Sequence, residues 1–233
     1  MNASHLLRVN LKRYFVVTVL LLPTAAVAIP CNTGLIGTAS TCGISLLSAG
    51  SSDFHWQLAN PYPTAPSGAL INGSVVLPTL SFSPVFANVN AGSWMLNGPD
   101  SGWVVPSASF HTEFGGQYVY QTTFTGANPF GGRYSSDNEL LGVFLNNTLL
   151  PGFPLNGPAD SGNWTSFIIG SGLNTGSNTL DFVVRNRGVG GIDSNSTVTG
   201  FRAEFAAVPV PAAVWLLASG LLGLIGVTRC KIT

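Results

Sequence analysis

Side chains able to do chemistry are sparse in this 233-residue chain, and their spacing is poor for catalysis. Beyond the first 28 residues the histidines are His55 and His111, and neither is flanked by a hydrolase or metalloprotease pattern. There is no G-x-S-x-G, no H-E-x-x-H and no phosphate-binding glycine loop, and Gly188-Val189-Gly190-Gly191 lacks the spacing of a dinucleotide fingerprint. A triad using His55 or His111 remains formally open, but both residues fit strand or turn positions. Asp137 and Glu139 stand two apart, on one side of the chain if that segment is extended. Paired carboxylates are glycosidase machinery, where separation in space decides the chemistry. The expectation is a protein that is not an enzyme and needs no cofactor or metal, with glycoside hydrolysis the last alternative.

Binding chemistry has a better candidate in two similar loops. Asn97-Gly98-Pro99-Asp100-Ser101-Gly102-Trp103 is echoed by Asn156-Gly157-Pro158-Ala159-Asp160-Ser161-Gly162-Asn163-Trp164. On one reading each loop offers a carboxylate to sugar hydroxyls and a tryptophan face, Trp103 or Trp164, to a pyranose ring. On the other, each is a turn whose tryptophan enters the core. The second is favoured, because Gly-Pro-Asp-Ser-Gly is turn chemistry in its own right. Asp193-Ser194-Asn195-Ser196-Thr197 also fits an acidic bacterial N-glycan acceptor pattern, a weak match in so Ser- and Asn-rich a chain.

The elements that would position these residues are strands. Period-two alternation recurs between Gly, Pro and Asn breakers, with Tyr118, Tyr120, Thr122 and Phe124 on one face. Leu141, Val143 and Leu145 form the next such face, then Leu180, Phe182 and Val184, then Phe201, Ala203 and Phe205. Weaker strand signals lie at 54–56, 74–77, 94–96 and 165–169. No ten-residue stretch from 29 to 207 keeps a helical period, so the spacing predicts an all-β sandwich of about eight strands.

From Trp103 onward the pattern resembles the galactose-binding-like jelly roll, especially the modules that accompany glycoside hydrolases. The resemblance rests on the aromatic strand at 116–124, on Asp137-Asn138 running to Val143-Phe144-Leu145-Asn146-Asn147, and on Gly176-Ser177-Asn178-Thr179-Leu180. Asn147 replaces the family's hairpin glycine, and Asn tolerates left-handed backbone angles. The likeness implies a jelly-roll sandwich with carbohydrate-binding relatives. Residues 43–100 fit it loosely.

Both termini read as export signals. Arg8, Lys12 and Arg13 precede a short apolar run, and Ala26-Val27-Ala28 carries the small residues that signal peptidase requires, so residues 1–28 are expected to be a cleaved signal peptide. Pro30 before Cys31 argues against a lipoprotein. At the other end Pro209 and Pro211 precede an apolar run of 16 residues, 212–227, followed by Arg229 and Lys231. As a helix that run would reach roughly 24 Å, a short membrane span with a basic stop that keeps the extreme C-terminus cytoplasmic. The whole segment 208–233 resembles the bacterial PEP-CTERM sorting signal. Pro209 and Pro211 match its proline pair, and Ser219-Gly220-Leu221-Leu222-Gly223-Leu224 matches the small-residue centre of its helix. Val210 stands where the family name implies Glu, and Cys230 between two basic residues departs from its arginine cluster. The resemblance implies an exosortase partner and cleavage near Pro209-Val210-Pro211. It also implies passage through an inner-membrane intermediate to the surface or extracellular matrix of a Gram-negative, exopolysaccharide-making bacterium.

The body between these signals, 29–207, holds four arginines, no lysine and nine acids, a net charge of −5. Such a surface repels polyphosphates, which excludes nucleic acid as an expected partner and leaves the membrane and polysaccharide. Cys31 and Cys42 lie in the exported part, where a disulfide closing so short a loop would contribute roughly 2–3 kcal/mol. A metal pair is the alternative, but no histidine lies near them in sequence.

Overall fold

The computed structural model describes residues 36–41, 45–62, 79–88, 94–109, 112–155, 160–191 and 195–207. Ala26, Ala28, Cys31, Cys42, His111, Pro209, Pro211, Arg229 and Lys231 lie outside the described residues, as do the expected signal peptide, the sorting segment 208–233 and the candidate strand at 74–77.

Alternation becomes strand wherever the sequence promised it most clearly. In chain order the strands are β1 (Ser52–Tyr62), β2 (Ser83–Asn88), β3 (Trp103–Val105), β4 (Glu113–Phe114), β5 (Gly116–Thr125) and β6 (Phe130–Asp137). They continue with β7 (Glu139–Leu145), β8 (Thr148–Leu149), β9 (Thr165–Ile169), β10 (Ser177–Asn186), β11 (Ser196–Thr197) and β12 (Gly200–Ala207). Among the described residues there is no α-helix, and none long and apolar enough to cross a membrane. Ten strands form one antiparallel sheet in the order β8-β7-β10-β5-β1-β2-β3-β12-β6-β9, while β11 and β4 make a separate two-stranded ribbon.

The sheet curls so that its two halves face each other. Phe182 on β10 meets Phe201 on β12 at 4.8 Å between ring centroids and Tyr134 on β6 at 6.0 Å. Trp56 on β1 reaches Phe201 at 5.5 Å, and Tyr120 on β5 lies 5.2 Å from the same ring. Tilted and stacked ring contacts of this kind add to the burial of large rings. The molecule is therefore an all-β sandwich, with β8-β7-β10-β5-β1 on one side and β2-β3-β12-β6-β9 on the other. Gly132 marks a tight spot between strands: a Cβ there would lie 2.7 Å from the Phe167 ring.

Two strand expectations change in detail. Leu141 does not share the inner face of Val143 and Leu145. A register shift against β10 pairs Val183 with Gly142 and Val184 with Leu140, so Leu140 turns inward and Leu141 joins an outer cluster. That outer cluster covers Ala59, Val119, Phe144 and Val183 with Leu80 and Phe82 packed on it. Residues 94–96 are irregular rather than a strand, because Trp94 is buried and donates its indole N–H to Asp137 Oδ2 at 2.7 Å. Its ring also occupies the space beside Gly200, where a Cβ would sit 2.6 Å from the indole.

The two ends of the sandwich are built differently. At one, the β5–β6 loop 126–129, the hairpin turn 146–147 and the β9–β10 loop 170–176 meet beside Ala207, the last residue of β12. Asn178 pins this pole. Its Nδ2 donates to Gly126 O at 3.0 Å and Asn174 O at 3.0 Å, and its Oδ1 accepts from Asn146 Nδ2 at 2.9 Å and Asn174 N at 2.7 Å. Asn146 and Asn147 take φ of 51° and 65°, the angles a tight two-residue hairpin demands. No charged residue lies in these three loops. At the other pole Arg185 and Arg187 share Glu139, at 3.3 and 2.7 Å, and Asn186 Nδ2 holds the β4–β11 ribbon through Glu113 O at 3.0 Å.

Candidate functional site

The richest polar cluster sits on the outer face of β12 and β6, where the sequence offers Arg202 and Glu204 two residues apart. Alternation puts both on the face opposite Phe201, Ala203 and Phe205, and the register sets Glu204 directly across from Arg133. Glu204 Oε2 accepts from Arg133 Nε at 2.6 Å, and Glu204 Oε1 accepts from Arg202 Nη2 at 3.3 Å. Arg202 is 2% exposed. Its Nε donates to Ser101 Oγ at 2.8 Å and its Nη1 to Leu96 O at 2.5 Å, while Ser101 Oγ donates to Glu204 Oε1 at 2.8 Å. Burial lowers the Arg202 pKa, the Glu204 charge opposes that shift, and arginine stays protonated throughout.

Trp164 completes the cluster. The guanidinium carbons of Arg133 and Arg202 lie 4.4 and 4.6 Å from its ring centroid, cation–π distances for both. The two echoing loops thus converge: Met95 N donates to Ser161 O at 3.1 Å, and Arg202 ties both loops to β12.

Their tryptophans nevertheless play different parts. Trp103 is fully buried, its ring tilted 37° against Trp94 at 4.5 Å between centroids, with its indole N–H donated to Met95 O at 2.8 Å. It has no face to offer a sugar. Trp164 is half-buried, and its π surface already carries two guanidiniums. Asp100 lies on the turn closed by Gly98 N and Ser101 O, at 3.0 Å. The arrangement is a clamp that fixes two loops, with its donors and acceptors matched internally.

The other chemical candidates are likewise held in place. His55 Nδ1 lies 3.4 Å from Asp53 Oδ1, and buried Asp53 also accepts from Ala39 N at 2.7 Å and His55 N at 2.9 Å. Among the described residues no hydroxyl is hydrogen-bonded to His55. Asp137 and Glu139 are claimed by different partners. Asp137 accepts from Trp94 and from Asn138 Nδ2 at 2.8 Å, whereas Glu139 is shared by two arginines. Burial raises the Asp137 pKa, with the Trp94 bond opposing it. Asp181, on the outer face of β10, is pushed up to about 6 by burial, against a 2.7 Å bond from Gln121 Nε2. Among the described residues no group of three His, Cys, Asp or Glu side chains is placed to hold a metal ion.

Sequence reasoning missed the arginines. All four body arginines fall into two Arg–Glu–Arg triads, Arg133–Glu204–Arg202 and Arg185–Glu139–Arg187. The signal was present in the i, i+2 spacing of Arg202 with Glu204 and of Arg185 with Arg187 in a body that has no lysine. No family model and no curated protein matches the chain.

Proposed function

We propose that this chain is an exported, non-catalytic β-sandwich protein, carried to the cell surface or extracellular matrix by a PEP-CTERM-like tail and associated there with exopolysaccharide. The observation that carries this reading is the order of Pro209, Pro211, the apolar run 212–227, Arg229 and Lys231, which begins directly after β12 ends at Ala207. The last described strand ends at Ala207, one residue before the segment read as a sorting signal. The internally satisfied polar clusters support a structural rather than catalytic body. The finer assignment to a galactose-binding-like jelly roll draws on the way β5, β6, β7, β9, β10 and β12 alternate between the two halves of the sandwich, with β8 a hairpin return beside β7.

The partners of this reading are signal peptidase, exosortase and, transiently, the inner membrane. Mass spectrometry of the mature protein from its native host, combined with cell fractionation, tests it. The expected product begins at Ile29 and lacks 212–233; a mature protein that retains the tail is a plain membrane anchor and overturns the sorting proposal. A second reading, a carbohydrate-binding module, rests on Trp164 alone because Trp103 is buried. Polysaccharide retention by the wild type that is lost in Trp164→Ala would put that reading first.

A further inference from the structure

We infer that the uncharged pole of the sandwich, formed by loops 126–129 and 170–176 and the turn 146–147, is a membrane-apposed surface that rests on the lipid headgroups while the tail is inserted. The inference depends on the proposal that 212–227 enters the bilayer.

The first argument is reach. β12 runs toward this pole and ends there, with Ala207 paired to Phe130, which in turn pairs with Ile169. Only residues 208–211 separate that strand end from the apolar run. Fully extended, the link from Ala207 to Ala212 spans at most about 18 Å. The pole from which the chain departs is therefore held close to the bilayer surface.

The second argument is charge. The three loops at this pole carry Asn, Ser, Thr, Gly, Ala, Pro and Leu but no ionisable side chain, in a body of net charge −5. Body segments outside the described residues add only Asp193 and His111. Glu113, Glu139, Arg185 and Arg187 are gathered at the opposite pole. Strands of ten residues, such as β5 and β10, separate the poles by roughly 30 Å, several times the Debye length of about 8 Å at physiological salt. An anionic headgroup layer would repel the acidic body; Glu113 and Glu139 are held at the far pole, and Glu204, three residues from the end of β12, is paired with Arg133 and Arg202.

The third argument is surface chemistry. Ala127, Asn128, Ser171 and Thr175 are exposed there, and neutral amides and hydroxyls can exchange water for lipid phosphate or ester oxygens without desolvating a charge. The Asn178 network keeps the loops in one shape, so little order has to be gained on contact.

The test uses the full chain, without its signal peptide, reconstituted into phosphatidylethanolamine–phosphatidylglycerol vesicles containing a headgroup-labelled acceptor lipid. A fluorescent amino acid replaces either Asn128 at the neutral pole or exposed Val189 at the charged pole, and flotation is scored before energy transfer. The expected result is a floating protein with transfer at position 128 at least about twofold that at 189, given the ~30 Å separation. A floating protein with equal or greater transfer at 189 overturns the orientation and leaves insertion standing. A protein that fails to float overturns insertion itself, and the orientation falls with it.

Discussion

The loops ending in Trp103 and Trp164 share their Asn-Gly-Pro opening and their Asp-Ser-Gly turn, yet one tryptophan is core and the other is a clamp. The difference lies in the strand that each loop feeds. Trp103 opens β3, an inner strand of the sheet held between β2 and β12, and its ring packs with Trp94 and Val105. Trp164 precedes β9, the outermost strand on its side of the sheet, where among the described residues one flank has no neighbouring strand and the ring lies against arginines. Similar local sequence acquires different roles because tertiary position decides how many partners surround a side chain.

Three measurements break or sharpen that contrast. The largest effect is expected from Trp103→Ala, which removes a buried ring and a hydrogen bond and should cost roughly 3–5 kcal/mol. Thermal unfolding reads it directly, and an unchanged melting temperature would remove Trp103 from the core.

Next comes pH, because Asp137 anchors the first loop through Trp94 while Asp181 lies outside both loops. Each has a folded-state pKa raised by burial, so the folded protein takes up protons before the unfolded chain does. Stability should therefore rise as pH falls from about 6, the Asp181 value, toward the ordinary 3.8, and decline as pH rises through the same window. For Asp181 a shift of about two units corresponds to about 2–3 kcal/mol. In Asp181→Asn this slope should shrink to the part that belongs to the remaining buried carboxylates. A variant with the full slope would show that Asp181 is not its source.

The smallest effect belongs to Trp164→Ala. Two cation–π contacts at roughly 0.5–1 kcal/mol each set its cost at about 1–2 kcal/mol. A loss as large as that of Trp103→Ala would make the two loops equivalent and abolish the distinction drawn between them.

Alternation made the inner face of β5, β10 and β12 legible, since Tyr120, Phe182 and Phe201 must share a side if the strands are regular. It failed at Leu141, where a bulge resets the period, because periodicity assumes an unbroken ladder. The hairpin at Asn146-Asn147 was readable from residue type, as asparagine accepts positive φ. The mutual hydrogen bonds of Asn146, Asn174 and Asn178 were not, because they join residues up to 32 apart. The clamp was hidden for the same reason. Arg202 and Ser101 are 101 residues apart, and although the Arg202–Glu204 spacing marks a polar face of the strand, it does not announce that the arginine is buried there. The echo between the loops was visible, but its meaning depended on which strand is internal, a property of topology alone.

β12 is the last strand in sequence among the described residues, yet it lies inside the sheet, hydrogen-bonded to β3 on one side and β6 on the other. The second half of the sandwich consequently stays divided until residues 200–207 arrive. Phe201 cannot meet Trp56, Tyr120 and Phe182 before then. During synthesis the described strands remain incomplete until residue 207 is available, because long-range pairing of β12 closes the core. Loss of even the last eight residues of the body would leave two partial sheets rather than a slightly shortened domain.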